Sequence, residues 1–308
     1  MPYHDILYEV DGRLAFVTLN RPEKLNALSN NLRGEVFDAM KEAESNPDVG
    51  VIVLRSAGRA FSAGYDLSPS RAAGEDSEYV SKRSLLPDTG TMHPGPGQWS
   101  RHVVMANFMI WELAKPVVAS IQGYCLAGGT ELASICDLRI VAEDAQIGYP
   151  PVRAMTSMDM QWAPWHLPQA KAREFAYIGD PISGTEMVRL GWANYAVPAD
   201  QLADFTERFA RRMAHIDNDM LMYSKRQVNR QYEVMGIRTG LWSGTEIQAL
   251  SGMRPAAGEW GKRVREEGLK AALEWRDGPF RDFRGAYDSA PKDRAVAGTQ
   301  GDRPSGSY

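Results

Sequence analysis

The run Val51–Leu54 is apolar at every position and follows the turn-forming stretch Asn46-Pro47-Asp48. Four such residues in a row are of the kind found in strands buried on both faces, so other elements must cover them. The chain supplies candidates on either side. Two β-type runs, near Ile6–Val10 and Leu14–Asn20, open it, and Arg21-Pro22 closes the second because proline cannot continue a ladder. A helix follows, capped by Ser29 or Asn30, with Leu32, Val36, Phe37 and Met40 recurring at helical spacing to about Glu44.

Beyond Leu54 the pattern alternates. Ser68–Gln98 is a mixture of Pro, Gly, Ser and charge that predicts a mobile segment, with a short helix near Glu78–Leu85. Helical spacing returns at Val104–Leu113, stops at Lys115-Pro116 and gives way to a strand at Val117–Ile121. A Gly-rich turn, a helix over about Gly128–Cys136 and a strand near Leu138–Val141 come next. The rest reads as helical, over roughly Gln169–Ile178, Gly184–Leu190, Asp200–His215, Asn218–Met235, Gly240–Gly252 and Glu259–Trp275. The polar, Gly- and Pro-rich stretch from about Ser289 to Tyr308 predicts disorder. This divides the α/β chain into a strand-and-helix core at 1–198, a helical region at 199–288 and a tail at 289–308.

Composition narrows the function classes. At 308 residues, 44% hydrophobic and 24% charged, the chain is that of an ordinary globular protein. A net charge of −4 and the lack of a basic run give no reason to expect nucleic acid as a partner. No window approaches 18 consecutive apolar residues and the N-terminus lacks a signal-peptide pattern, so no membrane is expected and the cytoplasm is the expected compartment. Two cysteines, Cys125 and Cys136, make no disulfide framework and read as reduced and buried. No histidine pair or acidic cluster has metal-ligand spacing.

Two turns carry the chemistry. In Gly58-Arg59-Ala60-Phe61-Ser62-Ala63-Gly64-Tyr65-Asp66-Leu67, Gly64 permits backbone angles that direct the N–H of Tyr65 into a cleft, although a plain loop has the same composition. In Gln122-Gly123-Tyr124-Cys125-Leu126-Ala127-Gly128-Gly129-Thr130-Glu131-Leu132, a strand gives way to a helix at Gly128. The first N–H groups of that helix lack intrahelical partners and sit at the positive end of its dipole, where a developing oxyanion is stabilised. Glu131 stands one turn above Gly128 on the same face, either as a working carboxylate or as a complement to the dipole.

The ordered set LNRPEKLNALS, AFSAGYDL, KPVVASIQGYCLAGGTELASICDLRIVAEDAQIGYP and GDPISGTEMVRLGWANYAVP, with the ending EEGLKAALEWRDGPF, resembles the enoyl-CoA hydratase/isomerase (crotonase) family from about Ile6 to about Phe280. The resemblance implies a spiral of β-β-α turns forming two nearly perpendicular sheets, then a helical trimerisation region, giving a homotrimer or dimer of trimers. It implies an acyl-CoA substrate, with coenzyme A as part of that substrate and no separate cofactor. Carried over by position, the oxyanion hole is the N–H of Tyr65 with the N–H of Gly128; Ser62 and Ala63 lie beside the CoA adenine, and Lys24 meets a CoA phosphate.

The sequence also departs from the family. Hydratases share a water between two glutamates; Glu131 matches the first, but Pro151 stands at the second and can neither donate nor accept a proton. Asp159 lies eight residues beyond Pro151, where a dienoyl-CoA isomerase and a dehalogenase of the family carry a catalytic aspartate; otherwise it is a helix cap or surface residue. His102 lies in the segment that covers the acyl pocket in relatives and His166 is set between Trp165 and Leu167, each with packing or a solvent edge as the alternative; Trp162 and Trp165 are candidates to line that pocket or to pack in the core. Hydration of a 2-enoyl-CoA is therefore the expected reaction. Isomerisation, hydrolysis or C–C cleavage with Glu131 and Asp159 is the first rival, and a non-catalytic acyl-CoA-binding role the second.

Overall fold

A computed structural model describes residues 3–67 and 98–280. Strand β1 (Ile6–Asp11) runs antiparallel to β2 (Leu14–Leu19), with Ile6 opposite Leu19. All six residues of β2 are buried, as a strand covered on both faces requires. Helix α1 (Asn30–Ser45) begins at Ser29, whose hydroxyl accepts the Leu32 N–H at 3.0 Å, and ends at Asn46 before Pro47.

The chain then repeats one path. Strand β3 (Val51–Ser56) is followed by the three-residue β4 (Ala60–Ser62) and helix α2 (Gln98–Glu112). Strand β5 (Val117–Ile121) is followed by β6 (Tyr124–Leu126) and helix α3 (Gly128–Ile135), and β7 (Leu138–Ala142) by β8 (Gln146–Gly148). After the irregular stretch 149–162 come α4 (Ala163–His166), α5 (Gln169–Ile178), β9 (Ile182–Ser183), α6 (Gly184–Arg189) and β10 (Tyr195–Val197). Each first strand enters a six-stranded sheet of order β1-β2-β3-β5-β7-β10, and each short second strand enters a four-stranded sheet of order β4-β6-β8-β9. Pairing is parallel except for β1 with β2 and β8 with β9. A chain that winds this way, with a helix after the pairs β1–β2, β3–β4 and β5–β6, is the expected β-β-α spiral. The apolar runs noted in the sequence form its core: Val51, Ile52, Leu54, Val117, Val118 and Ile140 are fully shielded from solvent.

Helices α7 (Leu202–Met213), α8 (Asn218–Val234) and α9 (Ile237–Gly252) complete a first compact unit ending at Gly258. A second unit starts at Glu259, within α10 (Pro255–Glu267), and includes α11 (Leu269–Asp277). Inside it, Arg263 pairs with Glu259 and Glu267 one turn to either side, and the Arg276 guanidinium lies 5.3 Å from the centre of the Trp260 ring.

Boundaries differ from expectation in a few places. The single helix predicted over Glu259–Trp275 is two, broken at Gly268, whose φ of +86° lies outside the right-handed helix. Helix α2 starts at Gln98, six residues before the start that the apolar spacing indicates. The short strands β4, β6 and β8 have no counterpart in the sequence pattern. The segment expected to be mobile, apart from Gln98, and the tail from Ser289 lie outside the described residues. Among those described, no helix is long and apolar enough to cross a membrane.

Candidate active site

The first turn is held by the stretch before α1. Asn26 is fully buried; its carboxamide oxygen accepts the Arg21 N–H at 2.8 Å and its nitrogen donates to the carbonyls of Ala57 and Ala60, both at 2.8 Å. The Asn26 carbonyl in turn accepts the Ser62 hydroxyl at 2.8 Å, and the Ala63 N–H donates to Leu25 at 2.9 Å. Arg21 ties the far end through Asp66 at 3.0 Å. The AFSAGYDL turn is thus fixed by buried polar groups that would be costly to leave unpaired. At its centre Gly64 has φ +96°, and a Cβ there would sit 2.8 Å from the Ala127 Cβ and 3.0 Å from the Leu126 carbonyl oxygen. Only glycine fits, and its fit brings the first turn against the second.

The second turn stores strain. Ala127 has φ 49° and ψ −121°, a backbone conformation that costs a non-glycine residue about 1–3 kcal/mol. Its N–H donates to Gly148 at 2.9 Å, and its carbonyl accepts the Thr130 N–H at 2.9 Å and the Thr130 hydroxyl at 2.7 Å. These bonds turn the chain abruptly into α3. The N–H of Gly128, at the positive end of that helix, has no acceptor among the described residues. A Cβ on Gly128 would lie 2.5 Å from Cζ of Tyr65, so the tyrosine ring rests directly on the glycine.

One turn along α3, Glu131 has no solvent exposure. Its Oε2 accepts the Tyr65 hydroxyl at 2.6 Å, and its Oε1 accepts the Tyr149 hydroxyl and the Met160 N–H, both at 3.1 Å. Tyr149 also lies 3.4 Å from Asp159 Oδ2 and accepts the Asp159 N–H at 3.2 Å. Two buried carboxyl groups, Glu131 and Asp159, therefore meet at one phenol. Burial pushes the Glu131 carboxyl above its ordinary range, while the bonds from Tyr65, Met160 and Tyr149 pull it back part of the way. Burial and the two carboxylates push both tyrosines well up, so each keeps its proton. From α1, the Arg33 guanidinium sits 5.7 Å from the centre of the Tyr65 ring. Arg33, Tyr65, Gly128, Asn107, Leu28 and Leu132 line a cavity of about 10 Å³, room for one water molecule.

The residues singled out in the sequence fall into two groups. Tyr65, Gly128, Glu131 and Asp159 converge on this cluster, with Pro151 buried in the short 3-10 turn Pro150–Arg153 just after Tyr149. Ser62, Ala63 and Lys24 make none of the cluster bonds given above, and Ser62 packs instead on Gly129, where a Cβ would lie 3.0 Å from the Ser62 Cβ. Ser62 is fully buried, its hydroxyl also accepting the Gly64 N–H at 3.1 Å, whereas Lys24 is exposed and Ala63 half-buried. Trp162 is a core residue whose indole N–H donates to the Thr130 hydroxyl at 3.1 Å and whose ring packs on Phe175 and Trp192. Trp165 and His166 are half-buried; the side chain of His102 lies outside the described residues. Cys125 and Cys136 are free and buried, and burial pushes both thiols up. The sequence pattern does not disclose two side chains of the cluster. It points to Tyr65 for its N–H alone, and nothing in it distinguishes Tyr149 beside two prolines.

Residues 9–280 match the family model for enoyl-CoA hydratase/isomerase. The chain belongs to that family. A Mycobacterium tuberculosis protein named as an enoyl-CoA hydratase is 32% identical over 256 residues, covering 80% of each chain. The solved structure of an enoyl-CoA hydratase from Mycobacterium smegmatis is similar with a TM-score of 0.79 at 31% identity, covering 91% of this chain and 95% of that one. An enoyl-CoA hydratase/isomerase from Xanthobacter autotrophicus Py2 gives the same TM-score at 32% identity, covering 91% and 99%. Within this enoyl-CoA hydratase/isomerase framework, the Tyr149 hydroxyl joins Glu131 to Asp159.

Proposed function

We propose that the chain hydrates a 2-enoyl-CoA, with coenzyme A part of the substrate and no separate cofactor. The observation that carries this reading is the fully buried Glu131 carboxylate one turn above Gly128, whose N–H is available at a helix N-terminus. The thioester oxygen rests on the N–H groups of Gly128 and Tyr65, where negative charge that develops on it is stabilised. Glu131 takes a proton from water as the water oxygen attacks the β-carbon, and a carboxyl of the cluster returns a proton to the α-carbon. The exposed Lys24 meets a CoA phosphate while Ala63 and the backbone of Ser62 border the adenine; the buried Ser62 hydroxyl is engaged within the turn.

A second reading, double-bond isomerisation, is favoured by one observation. Asp159 shares the Tyr149 hydroxyl with Glu131, so two carboxyl groups are available to move a proton between carbons without water. We also assign the helical region 199–288 to assembly as a homotrimer or dimer of trimers, in the cytoplasm and without nucleic acid or membrane partners. Met220, Tyr223, Val228 and Val234 of α8 are each more than half exposed, apolar surface of the sort that a second copy covers. The test of the main reading is to incubate the protein with enoyl-CoAs of different chain length and with aryl examples. Loss of the conjugated thioester absorbance, with gain of the mass of one water, is the expected result. Migration of the double bond without gain of mass selects the isomerase reading, and unchanged acyl-CoAs exclude both.

A further inference from the structure

The Tyr149 oxygen is approached by three groups. They are Glu131 Oε1 at 3.1 Å, Asp159 Oδ2 at 3.4 Å and the Asp159 N–H at 3.2 Å. A phenol carries one hydrogen and two lone pairs. The Asp159 N–H takes one lone pair, and the hydrogen points to the nearer carboxylate, Glu131. The remaining lone pair then faces Asp159. Were Asp159 ionised, two sets of lone pairs would oppose each other inside a buried site; a proton on Asp159 turns that repulsion into a hydrogen bond.

We propose that Glu131 and Asp159 hold a single proton between them across the Tyr149 hydroxyl, so that Tyr149 is a positioning residue through which the pair exchanges acid and base roles. This inference rests on Glu131 acting as the base, as proposed above. Glu131 is the ionised member because three donors converge on it: the Tyr65 hydroxyl, the Tyr149 hydroxyl and the Met160 N–H. Around the pair, Tyr149 touches both carboxyl groups, Tyr65 from the first turn donates to Glu131, and the Arg33 guanidinium from α1 lies 5.7 Å from the centre of the Tyr65 ring.

The relay balances. When Glu131 has taken the water proton and Asp159 has given its own to the α-carbon, the pair holds one proton on the wrong member. The Glu131 O–H then breaks toward the Tyr149 oxygen as the Tyr149 proton passes to Asp159. Glu131 is ionised again, Asp159 is protonated again, Tyr149 is neutral at both ends of the step, and the total charge of the cluster is unchanged. If Glu131 itself protonates the carbon, the pair is already reset. In the first course the cluster offers a base and a separate acid, which a lone glutamate beside a proline does not.

Two measurements test this, one of which is independent of turnover. Infrared titration of the ligand-free protein should show a buried protonated-carboxyl C=O band near neutral pH that disappears in Asp159→Asn and shifts in Tyr149→Phe. Absence of that band, or its persistence in Asp159→Asn, overturns the shared proton whatever reaction the enzyme performs. In kinetics, Tyr149→Phe keeps the ring in place and should lower kcat by about tenfold, less than the roughly 10²-fold or more of a direct acid or base, with KM within about twofold. It should move the acid limb of the pH–kcat profile, and Asp159→Asn should then add less than about twofold to the loss. If Tyr149 serves packing alone, the profile of Tyr149→Phe stays in place and Asp159→Asn keeps its full effect, and the relay is wrong.

Discussion

Glu131 and Asp159 are both buried carboxyl groups at one phenol, yet they are delivered by very different pieces of chain. Glu131 stands on α3, a regular helix whose eight residues are all buried and whose start is fixed by Ala127 and Thr130. Asp159 stands on the stretch 149–162, which has one 3-10 turn and is tied to its surroundings through side chains such as Tyr149, Arg153, Thr156 and Trp162. A helix sets the position of Glu131 relative to Gly128 by its own geometry, so the pair can be specified by a three-residue spacing. The second carboxyl depends on how an irregular segment packs. On the reading proposed above, Asp159 of this segment supplies the second carboxyl, where Pro151 cannot.

If that contrast is correct, the largest loss comes from α3. Glu131→Gln preserves size and accepts part of the same bonding but removes the base, and it should lower kcat by at least about 10²-fold. The parent should show a related pH dependence. Glu131 must be ionised to act, and burial raises its pKa, so the rate should fall with acidity at a pH above the ordinary carboxylate value of about 4.3. Steady-state kinetics over the acid range checks both. A variant within a few-fold of the parent would move the chemistry to the irregular segment and reverse the comparison.

Asp159→Asn is the corresponding change in the irregular segment, and a smaller loss is expected, about tenfold, since Glu131 retains its three donors. The carboxamide of that variant has no acidic proton to pass to the Tyr149 oxygen, but its N–H can still donate a hydrogen bond there. Rates of the two single variants and of the double variant measure the coupling; independent effects would mean that the two carboxyl groups do not work as a unit. A silent Glu131→Gln beside an inactive Asp159→Asn would replace hydration by the isomerase reading.

The same contrast explains how much is legible in the sequence. The strands Val51–Ser56 and Val117–Ile121 announce themselves by the apolar runs Val51–Leu54 and Val117–Ala119, and α1 by its cap and period. The family likeness then orders them into a spiral. The strands β4, β6 and β8 are three residues each, too short for a period to show, and their existence depends on pairing with one another. Gly128 and Glu131 are legible because helix geometry links sequence spacing to position. Tyr149 is not, because an aromatic residue before two prolines has no pattern that directs its hydroxyl. The Tyr65 ring is hidden for another reason: the turn motif speaks for its backbone, whereas the side chain reaches across the turn to Glu131. The break at Gly268 is masked because apolar spacing continues across it.

The smallest effect tests the far end of α3, where the two pieces meet again. His166, which closes α4 just beyond the irregular stretch, interacts with the backbone of Ser134 near the C-terminus of α3. Arg139 donates to the carbonyls of Ala133, Ser134 and Cys136 in the same place. Burial first, and then the Arg139 charge, lower the His166 pKa to about 3. The folded protein therefore holds this imidazole neutral where the unfolded chain would protonate it, below about pH 6.5. More protons are bound by the unfolded state between about pH 6.5 and 3, so stability is intact above that window and declines as pH falls through it. One proton limits the slope to about 1.4 kcal/mol per pH unit, and partial access of solvent to the ring brings it lower. Urea midpoints compared between about pH 7 and about pH 5 should accordingly fall further for the parent than for His166→Gln, which has no proton to gain. Parallel falls would mean that the ring titrates freely, and that the contact between α4 and the end of α3 opens well before the protein unfolds.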